Sequence, residues 1–408
     1  MQVVHPHCAG LDVHKKDVYG CAIGIDETGK HQEIRRFGTM TRNLLELADW
    51  LKAHKITHVA MEATGVYWRP VWAVLEGQFE LLLVNPHHVH ALPGRKTDAK
   101  DCEWLADLLQ HGLLRSSFVP PTDIQDLRDL TRYRVELTQA QARVANRIQK
   151  VLEQANIKLS SVASDTLGVS GQRMIEAIIN GEDNPEHLAD LAKRRLRLRI
   201  PDLQLALSGK VRDHHRFLLK QHLSEWKALS ERITRVEQEI DRHIVPFEQA
   251  VTRWKTIPGI DHVTACSLVA ELGVNMDQFP SAQHLASWAG ICPGHNESGG
   301  KRMSGTMRDG NRWLRRTLCQ AAWAASRKKN SYLSSQFKRL AARRGIKRAL
   351  MAVAHSIIII AYSMMKKAKS YEELGGDYFD RINKSQLQNH LIRRLQQLGV
   401  AVTVQPAV

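Results

Sequence analysis

Apolar and polar positions along the first hundred residues follow two periods in turn. Cys8 to Val13 and Val18 to Ile25 are short apolar runs joined by the polar His14-Lys15-Lys16, and they predict two strands. Glu33 to Phe37, after the turn Asp26-Glu27-Thr28-Gly29, is a candidate third strand. Leu44, Leu47, Ala48 and Leu51 share one stripe and predict a helix over residues 44–54. Thr57 to Met61 predicts a short strand running into Glu62, and Val66 to Glu76 a helix. Phe79 to Val84 predicts a buried strand ended by Asn85-Pro86. Thr97 is a candidate cap for a helix from Asp98 to about His111.

Three strands, then helix, strand, helix, strand, helix, is the element order of an RNase H-like α/β domain. Beyond it the pattern changes. Leu130, Leu137, Val144 and Val151 recur at every seventh position, and so do Leu219, Trp226, Ile233, Ile240 and Phe247. Heptad spacing favours coiled-coil packing. The segment between the two runs carries Gly168, Gly171, Gly181 and Pro185, so the runs can fold back as an antiparallel arm; two ordinary bundle helices are the alternative. The basic run Lys193-Arg194-Arg195 to Arg199 is either a solvated face or a nucleic-acid contact. The last third starts near Trp254. Its most apolar stretch, Ala349 to Met365, is shorter than the ~20 residues of a membrane span and carries His355 and Ser356, which predicts a buried core helix. The tail from Ser370 is mixed in charge and has no strong pattern.

Composition narrows the classes. A chain of 408 residues accommodates two or three domains, and 43% apolar residues suffice for their cores. The formal net charge of +16 calls for a polyanionic partner, nucleic acid before an anionic membrane surface. The charge is uneven: from Lys301 to Lys369, Asp309 is the only acid. The six cysteines include no C-x-x-C pair, so a zinc ribbon or redox pair is not signalled, and free thiols in a reducing cytoplasm are expected. The N-terminus shows no signal-peptide pattern.

Four carboxylates stand out. Asp12 lies inside the apolar run Ala9-Gly10-Leu11-Asp12-Val13, where an acid is costly unless paired. Glu62 follows the strand 57–61. Asp98 and Asp101 begin the helical stripe that Leu105 and Leu108 continue. Phosphodiester chemistry explains such a set: hard oxygen ligands hold Mg²⁺ or Mn²⁺, and two ions about 4 Å apart stabilise the attacking and leaving oxygens. The bland alternative for Asp98 and Asp101 is a helix-terminal acid and a surface residue. His87, His88 and His90 after Pro86 read as a solvated loop rather than a zinc site.

Two further motifs lie in the last third. Ile257-Pro258-Gly259-Ile260, followed by Thr264, Ala265 and Leu268, resembles a helix-hairpin-helix, whose turn aims backbone N–H groups at a phosphate; an ordinary loop before a helix is the alternative. In Gly294-His295-Asn296-Glu297-Ser298-Gly299-Gly300-Lys301-Arg302, Ser298 precedes two glycines that leave its hydroxyl open. Lys301, Arg302, Arg308 and Arg312, with Arg315 and Arg316 beyond, are candidate phosphate ligands. A bare Ser-Gly-Gly is also a common turn.

Together these residues resemble the DEDD transposases of bacterial insertion sequences, relatives of the pilin-gene DNA invertase that include recombinases guided by a structured bridge RNA. The resemblance rests on Gly10-Leu11-Asp12-Val13-His14-Lys15, Met61-Glu62-Ala63-Thr64-Gly65, Lys96-Thr97-Asp98-Ala99-Lys100-Asp101, the 257–260 hairpin, and Ala289-Gly290-Ile291-Cys292-Pro293 through Ser298-Gly299-Gly300-Lys301 to Gly310-Asn311-Arg312-Trp313-Leu314-Arg315. It spans about residues 5 to 365.

The resemblance implies a multidomain α/β plus all-α protein. Its parts are a RuvC-like (RNase H fold) catalytic domain over 1–118, a coiled-coil arm with an inserted segment over 119–250, a mainly helical helix-hairpin-helix/transposase domain over 251–370, and a tail over 371–408. Asp12, Glu62, Asp98 and Asp101 match the acidic tetrad that holds Mg²⁺ or Mn²⁺, and Ser298 matches the serine that links covalently to DNA. Pro258, Gly259, Gly299, Gly300, Lys301, Arg302, Arg308, Arg312, Arg315 and Arg316 are the expected nucleic-acid contacts. DNA, a guide RNA and other copies of the chain, as a dimer or tetramer, are the expected partners. No membrane is expected, and the expected location is the bacterial cytoplasm at the nucleoid. A water-using, junction-cleaving nuclease and a non-catalytic nucleic-acid-binding protein are the alternatives.

Overall fold

The central strands of the N-terminal sheet carry small or apolar residues on both faces, so the middle of the sheet is covered on both. β1 (His7–Val13), β2 (Asp17–Asp26) and β3 (Gly29–Gly38) form an antiparallel meander. β4 (His58–Glu62) and β5 (Glu80–Val84) add parallel to β1, giving the order β3-β2-β1-β4-β5. A computed structural model supplies this architecture; it describes residues 2–27, 29–63, 65–85, 98–293, 297–298, 300–302, 307, 310–382 and 384–403. Thr97 and His87, His88 and His90 lie outside the described residues, as do Gly299 and Arg308. The chain divides into two compact units, Met1–Pro120 and Pro121–Val408.

In the first unit the alternation along β1 sorts residues to two layers. Ala9, Leu11 and Val13 pack with α1 (Thr41–Ala53) and α2 (Trp68–Leu75). Cys8 faces the other side, where α3 (Asp98–Gln110) supplies Cys102, Leu105, Ala106 and Leu109. The predicted elements are all present, with ends moved by a few residues. α2 starts at Trp68 rather than Val66, because Gly65 takes a left-handed φ of +57° and residues 65–67 form a turn. Glu62 closes β4 rather than following it. β3 is largely exposed along the sheet edge, and its charged residues, such as Lys30, Glu33, Arg35 and Arg36, discourage edge-to-edge pairing.

The second unit opens with α4 (Thr122–Gln154) and later returns along α9 (Asp213–Ile244). The pairs Arg134–Glu237, Gln141–Ser230 and Arg147–Glu225 march in opposite directions along the two chains, so the helices are antiparallel. Leu137, Val144, Val151 and Leu219 are buried in the seam, with Trp226 and Ile233 packed against them. Phe247 falls outside the helix: α9 ends at Ile244, and Val245–Phe247 is a 3₁₀ turn containing Pro246, which has no N–H to continue an α-helical ladder.

Between the long helices lie α5 (Leu159–Val162), α6 (Val169–Ile179), α7 (Pro185–Asp190), a 3₁₀ turn Arg194–Arg199 and α8 (Ile200–Leu207). Their apolar residues complete the core at that end of the pair. The basic run is the 3₁₀ turn, with no buried residue.

At the other end, α10 (Glu248–Trp254), α11 (His262–Leu272), α12 (Ala282–Trp288), α13 (Arg312–Ser326), α14 (Tyr332–Arg344) and α15 (Ile346–Lys367) enclose a second core around Trp254. α15 corrects an expectation. The helix has 22 residues, since Ile346, Lys347, Arg348, Lys366 and Lys367 extend it beyond the apolar stretch, and by length and composition alone it is long and apolar enough to cross a membrane. Its stripe Ala349, Val353, Ala354, Ile357, Ile358, Ala361 and Met364 is nevertheless buried in this core, and Trp254 Nε1 donates to Ala361 O at 3.2 Å. The tail also carries more order than its pattern predicts: α16 (Tyr378–Ile382) stacks Phe379 on Tyr332, with 5.3 Å between ring centres, and α17 (Lys384–Gln397) follows.

Gly259 joins α10 to α11 with φ +89°, and a Cβ there would lie 2.3 Å from Ala321 O and 2.6 Å from Ala325 N of α13. Gly259→Ala is expected to destabilise the second unit by about 2 to 4 kcal/mol, from overpacking and left-handed strain together. Urea unfolding of the full chain reads this as a lowered midpoint for that unit; an unshifted midpoint is the contrary result.

Candidate functional site

β1 and β4 run parallel with Leu11 opposite Met61, so the next residues along, Asp12 and Glu62, stand side by side where the strands end. By the two-residue period they share the side of Cys8 and Ala60, which is the side covered by α3. Asp101 lies on α3 directly before the buried Cys102. The approach of α3 is unusually close because residue 10 is glycine: a Cβ there would lie 2.3 Å from Cys102 O and 2.5 Å from Ala106 N.

The carboxylates of Asp12, Asp101 and Glu62 influence one another. Burial pushes the Asp12 carboxyl above its usual range; the charge of His14 and its hydrogen bond pull it down, and Asp101 and Glu62 push it further up. His14 Nε2 lies 3.0 Å from Asp12 Oδ2. The sequence reading placed His14 in the turn and missed this pairing, although its position two residues after Asp12 is the available signal. Burial, and then the charge of Asp12, push the Cys102 thiol up to about 12. Asp12, Glu62 and Asp101 are therefore brought into one region. Asp98 begins α3 one turn before Asp101, and its side chain lies outside the described residues. Among the described residues no group of three or more His, Cys, Asp or Glu side chains is close enough to hold a metal ion. The donor set itself suits a hard divalent cation: oxygen ligands, partly buried, whose mutual repulsion a cation would relieve.

In the second unit, Ser298 lies on a hairpin. β6 (Glu297–Ser298) pairs with β7 (Lys301–Arg302), Glu297 opposite Arg302 and Ser298 opposite Lys301. Pro293 forms an isolated antiparallel bridge to Met307, one residue out of the β6–β7 register, and Gly310 lies against Gly290, where a Cβ would be 2.5 Å from Gly290 N. Ser298 thus immediately precedes the two-residue turn, in which Gly300 has φ +72° as tight hairpins require. The side chains of Ser298, Lys301 and Arg302 lie outside the described residues.

The hairpin returns into α13, whose Arg312, Arg315 and Arg316 share a face by their spacing. None of the three forms an ion pair among the described residues, and Arg312 lies over the Trp313 ring at 5.2 Å. Pro258 and Gly259 occupy the tight connection between α10 and α11, where Ile260 N donates to Ile257 O at 3.1 Å and Asp261 caps α11 through Thr264 N at 2.8 Å.

Sequence reasoning missed a buried network beside the hairpin. Glu271 of α11 is 2% exposed; Arg132 donates to it through two bonds of 2.8 Å, and Asn311 Nδ2 through one of 2.5 Å. A second arrangement places Cys266 Sγ 3.6 Å from His262 Nε2, which lies 2.7 Å from Asp241 Oδ1.

Comparison with known proteins identifies the class of the chain. A DEDD model of IS110 type, described as a transposase, matches residues 9–157. A second, described as the transposase IS116/IS110/IS902 family, matches residues 251–339. The transposase for insertion sequence element IS1111A of Coxiella burnetii is 24% identical over 369 residues, covering 89% of this chain and 90% of the relative. The pilin gene-inverting protein of Moraxella lacunata is 24% identical over 376 residues, covering 89% and 97%. A probable family 20 transposase of Pseudomonas aeruginosa is 24% identical over 320 residues, covering 77% and 85%. The protein is an enzyme acting on DNA, of the insertion-sequence transposase/recombinase class. Within that class, residues 251–339 resemble the IS116/IS110/IS902 family of transposases.

Gly10→Ala forces α3 away from β1 and separates Asp101 from Asp12 and Glu62. It is expected to cost about 1 to 3 kcal/mol and to abolish DNA strand cleavage. Gly24→Ala is the control, since its Cβ would meet nothing nearer than His7 Nδ1 at 3.4 Å. Equal cleavage by the two variants would show that the close approach of α3 does not matter.

Proposed function

We propose that the protein is a site-specific recombinase that moves its own insertion sequence by cutting and rejoining DNA through a covalent phosphoserine. The observation that carries this reading is the convergence of Asp12, Glu62 and Asp101 at the ends of β1 and β4 under α3. The sheet order and the position of that convergence support a RuvC-like domain over 1–118. The arm is assigned to 119–250, the helix-hairpin-helix/transposase domain to 251–370 and the tail to 371–408.

Ser298 Oγ attacks the phosphorus of the scissile phosphate. The new O–P bond forms as the bond to the 3′-oxygen breaks; the serine proton is released and the 3′-oxygen takes one up. A 3′-hydroxyl of another strand then attacks the phosphoserine and frees Ser298, so the phosphodiester is restored without ATP. Asp12, Glu62, Asp98 and Asp101 would hold Mg²⁺ or Mn²⁺, which when bound supplies charge stabilisation at the reacting phosphate. Arg312, Arg315 and Arg316 at the start of α13, with Lys301, Arg302 and Arg308, neutralise the phosphates, and Pro258, Gly259, Gly299 and Gly300 are assigned as further nucleic-acid contacts. The net charge of +16 supports a second polyanion besides a DNA site, assigned to a structured guide RNA. The active form is assigned as a dimer or tetramer, working at the nucleoid in the cytoplasm.

One experiment separates this mechanism from hydrolysis by water. Reactions stopped with denaturant are expected to trap protein covalently bound to a DNA end. Ser298→Ala is expected to fold and bind but to give neither adduct nor recombinant, and Asp101→Asn to bind DNA without cutting it. Cutting by Ser298→Ala at the wild-type rate would instead assign the protein to the junction nucleases.

The guide is tested separately. Purified protein is expected to retain a discrete RNA transcribed beside its gene, to lose it steeply with rising salt, and to need it for recombination. Efficient recombination by RNA-free protein would rule the guide out.

A further inference from the structure

Glu271 lies at the last turn of α11, and its carboxylate ties together three segments that are far apart in the chain. Arg132 of α4 grips it through Nε and Nη2, both at 2.8 Å. Arg128, one turn earlier on α4, places Nε 3.6 Å from the same carboxylate and donates to the carbonyls of Ala270 and Glu271 at 3.0 Å each, which satisfies the end of α11. Asn311 reaches the carboxylate from the third side, with Nδ2 2.5 Å from Oε2. Its own Oδ1 accepts from Trp313 N at 3.0 Å and Leu314 N at 3.1 Å, capping α13. The Arg132 guanidinium also faces the Trp313 ring at 5.6 Å.

The place where this network acts is informative. Asn311 directly follows Gly310, whose backbone packs on Gly290, and the hairpin that carries Ser298 lies between those two glycines in the chain. The residue that follows the Gly290–Gly310 contact is therefore bolted to the long helix α4 through one buried carboxylate. A buried ion network contributes little net stability compared with an apolar filling of the same volume, whereas it fixes geometry tightly. Bidentate Arg132 admits one orientation of Glu271, and that orientation leaves Oε2 available to the Asn311 amide.

We propose that Glu271 and Asn311 are positioning residues: they set the serine hairpin on α4, so that the placement of the arm helix governs the placement of Ser298. The proposal rests on the reading of Ser298 as nucleophile, and its test separates the two.

The variants are Asn311→Asp, which keeps the capping oxygen but loses the amide donor, Glu271→Gln, which cannot accept from all three partners, and Arg132→Lys, which loses the bidentate grip. Each full-length protein is compared with wild type in four measurements. These are thermal unfolding, binding of a fluorescent duplex spanning one end of the element, the rate of covalent adduct formation, and the initial rate of tryptic cutting at Lys301–Arg302 relative to cutting at Arg381.

Asn311→Asp and Glu271→Gln are expected to raise the relative cutting several-fold and to slow adduct formation by roughly tenfold or more, with duplex binding changed by less than about twofold. Arg132→Lys is expected to fall between them and wild type. Should Glu271→Gln fail to fold, the other two variants decide the matter. An unchanged cutting ratio, or cutting accelerated equally at every site alongside a lower melting temperature, would overturn the proposal and leave the network a purely structural support. If wild type forms no adduct while the variants still expose Lys301–Arg302, the nucleophile assignment fails and the positioning of the hairpin stands.

Discussion

The missing Cβ of residue 10 is the constraint on which the N-terminal site depends. A helix packed on a sheet through ordinary side chains stands about 10 Å away, too far for a carboxylate on its first turns to meet a carboxylate at a strand end. Glycine at position 10 lets the backbone of α3 settle on β1, and a methyl group there would lie 2.3 Å from Cys102 O. Leu105, Ala106 and Leu109 then fill the space around the contact. The apolar cluster supplies the attraction, the glycine removes the obstacle, and together they bring α3 close to β1, where Asp101 and Glu62 push the half-buried Asp12 carboxyl further up.

The second unit is held differently. Along α4 and α9 the buried side chains of Leu137, Val144, Ile148, Val151, Leu219 and Leu223 each contribute about 1.5 to 3 kcal/mol, while exposed pairs such as Arg147–Glu225 contribute about 0 to 1. The apolar seam therefore holds the helices together, and the polar pairs set direction and register. The same division recurs nearer the hairpin, where Trp254 anchors the core by bulk and Glu271 fixes geometry by charge. Gly259 and Gly310 repeat the device of Gly10: each allows one backbone to rest on another, on α13 and on Gly290 respectively.

These differences explain what could be read from the sequence. The strands of the first unit and the seam of the arm were legible because hydrophobic period is a local signal. Asp12 and Glu62 were legible because an acid within an apolar strand is anomalous. The Glu271 network was not, because its partners lie 139 and 40 residues away, and nothing local marks Arg132 or Asn311. The glycines of Ile257-Pro258-Gly259 and Gly310-Asn311-Arg312 were legible as motif positions but not as packing contacts, since close approach depends on the helix opposite. Helix α15 was read as too short to span a membrane because the apolar run was counted without its basic ends. The helices α16 and α17 went unread because no α17 residue is buried, so they have little apolar patterning to betray them.

The cysteines bear on which side chain does the chemistry. Cys266 Sγ and Asp241 Oδ1 both approach the same ring nitrogen, His262 Nε2, at 3.6 and 2.7 Å, so the three do not form a thiol–base–acid relay. Burial also silences the thiol. It pushes Cys266 up to about 12, as it does Cys8, Cys21 and Cys102, and it raises Cys319 as well. At neutral pH a thiol of that pKa is ionised in about one molecule in 10⁵, which removes most of the advantage of sulfur as a nucleophile. A serine hydroxyl is not ionised at neutral pH either, and as a nucleophile it depends on activation, access to the phosphate and nearby positive charge. Ser298 lies in β6 opposite Lys301, and the arginines at the start of α13 follow later in the chain. The buried thiols are thus silenced by the cores they help to fill.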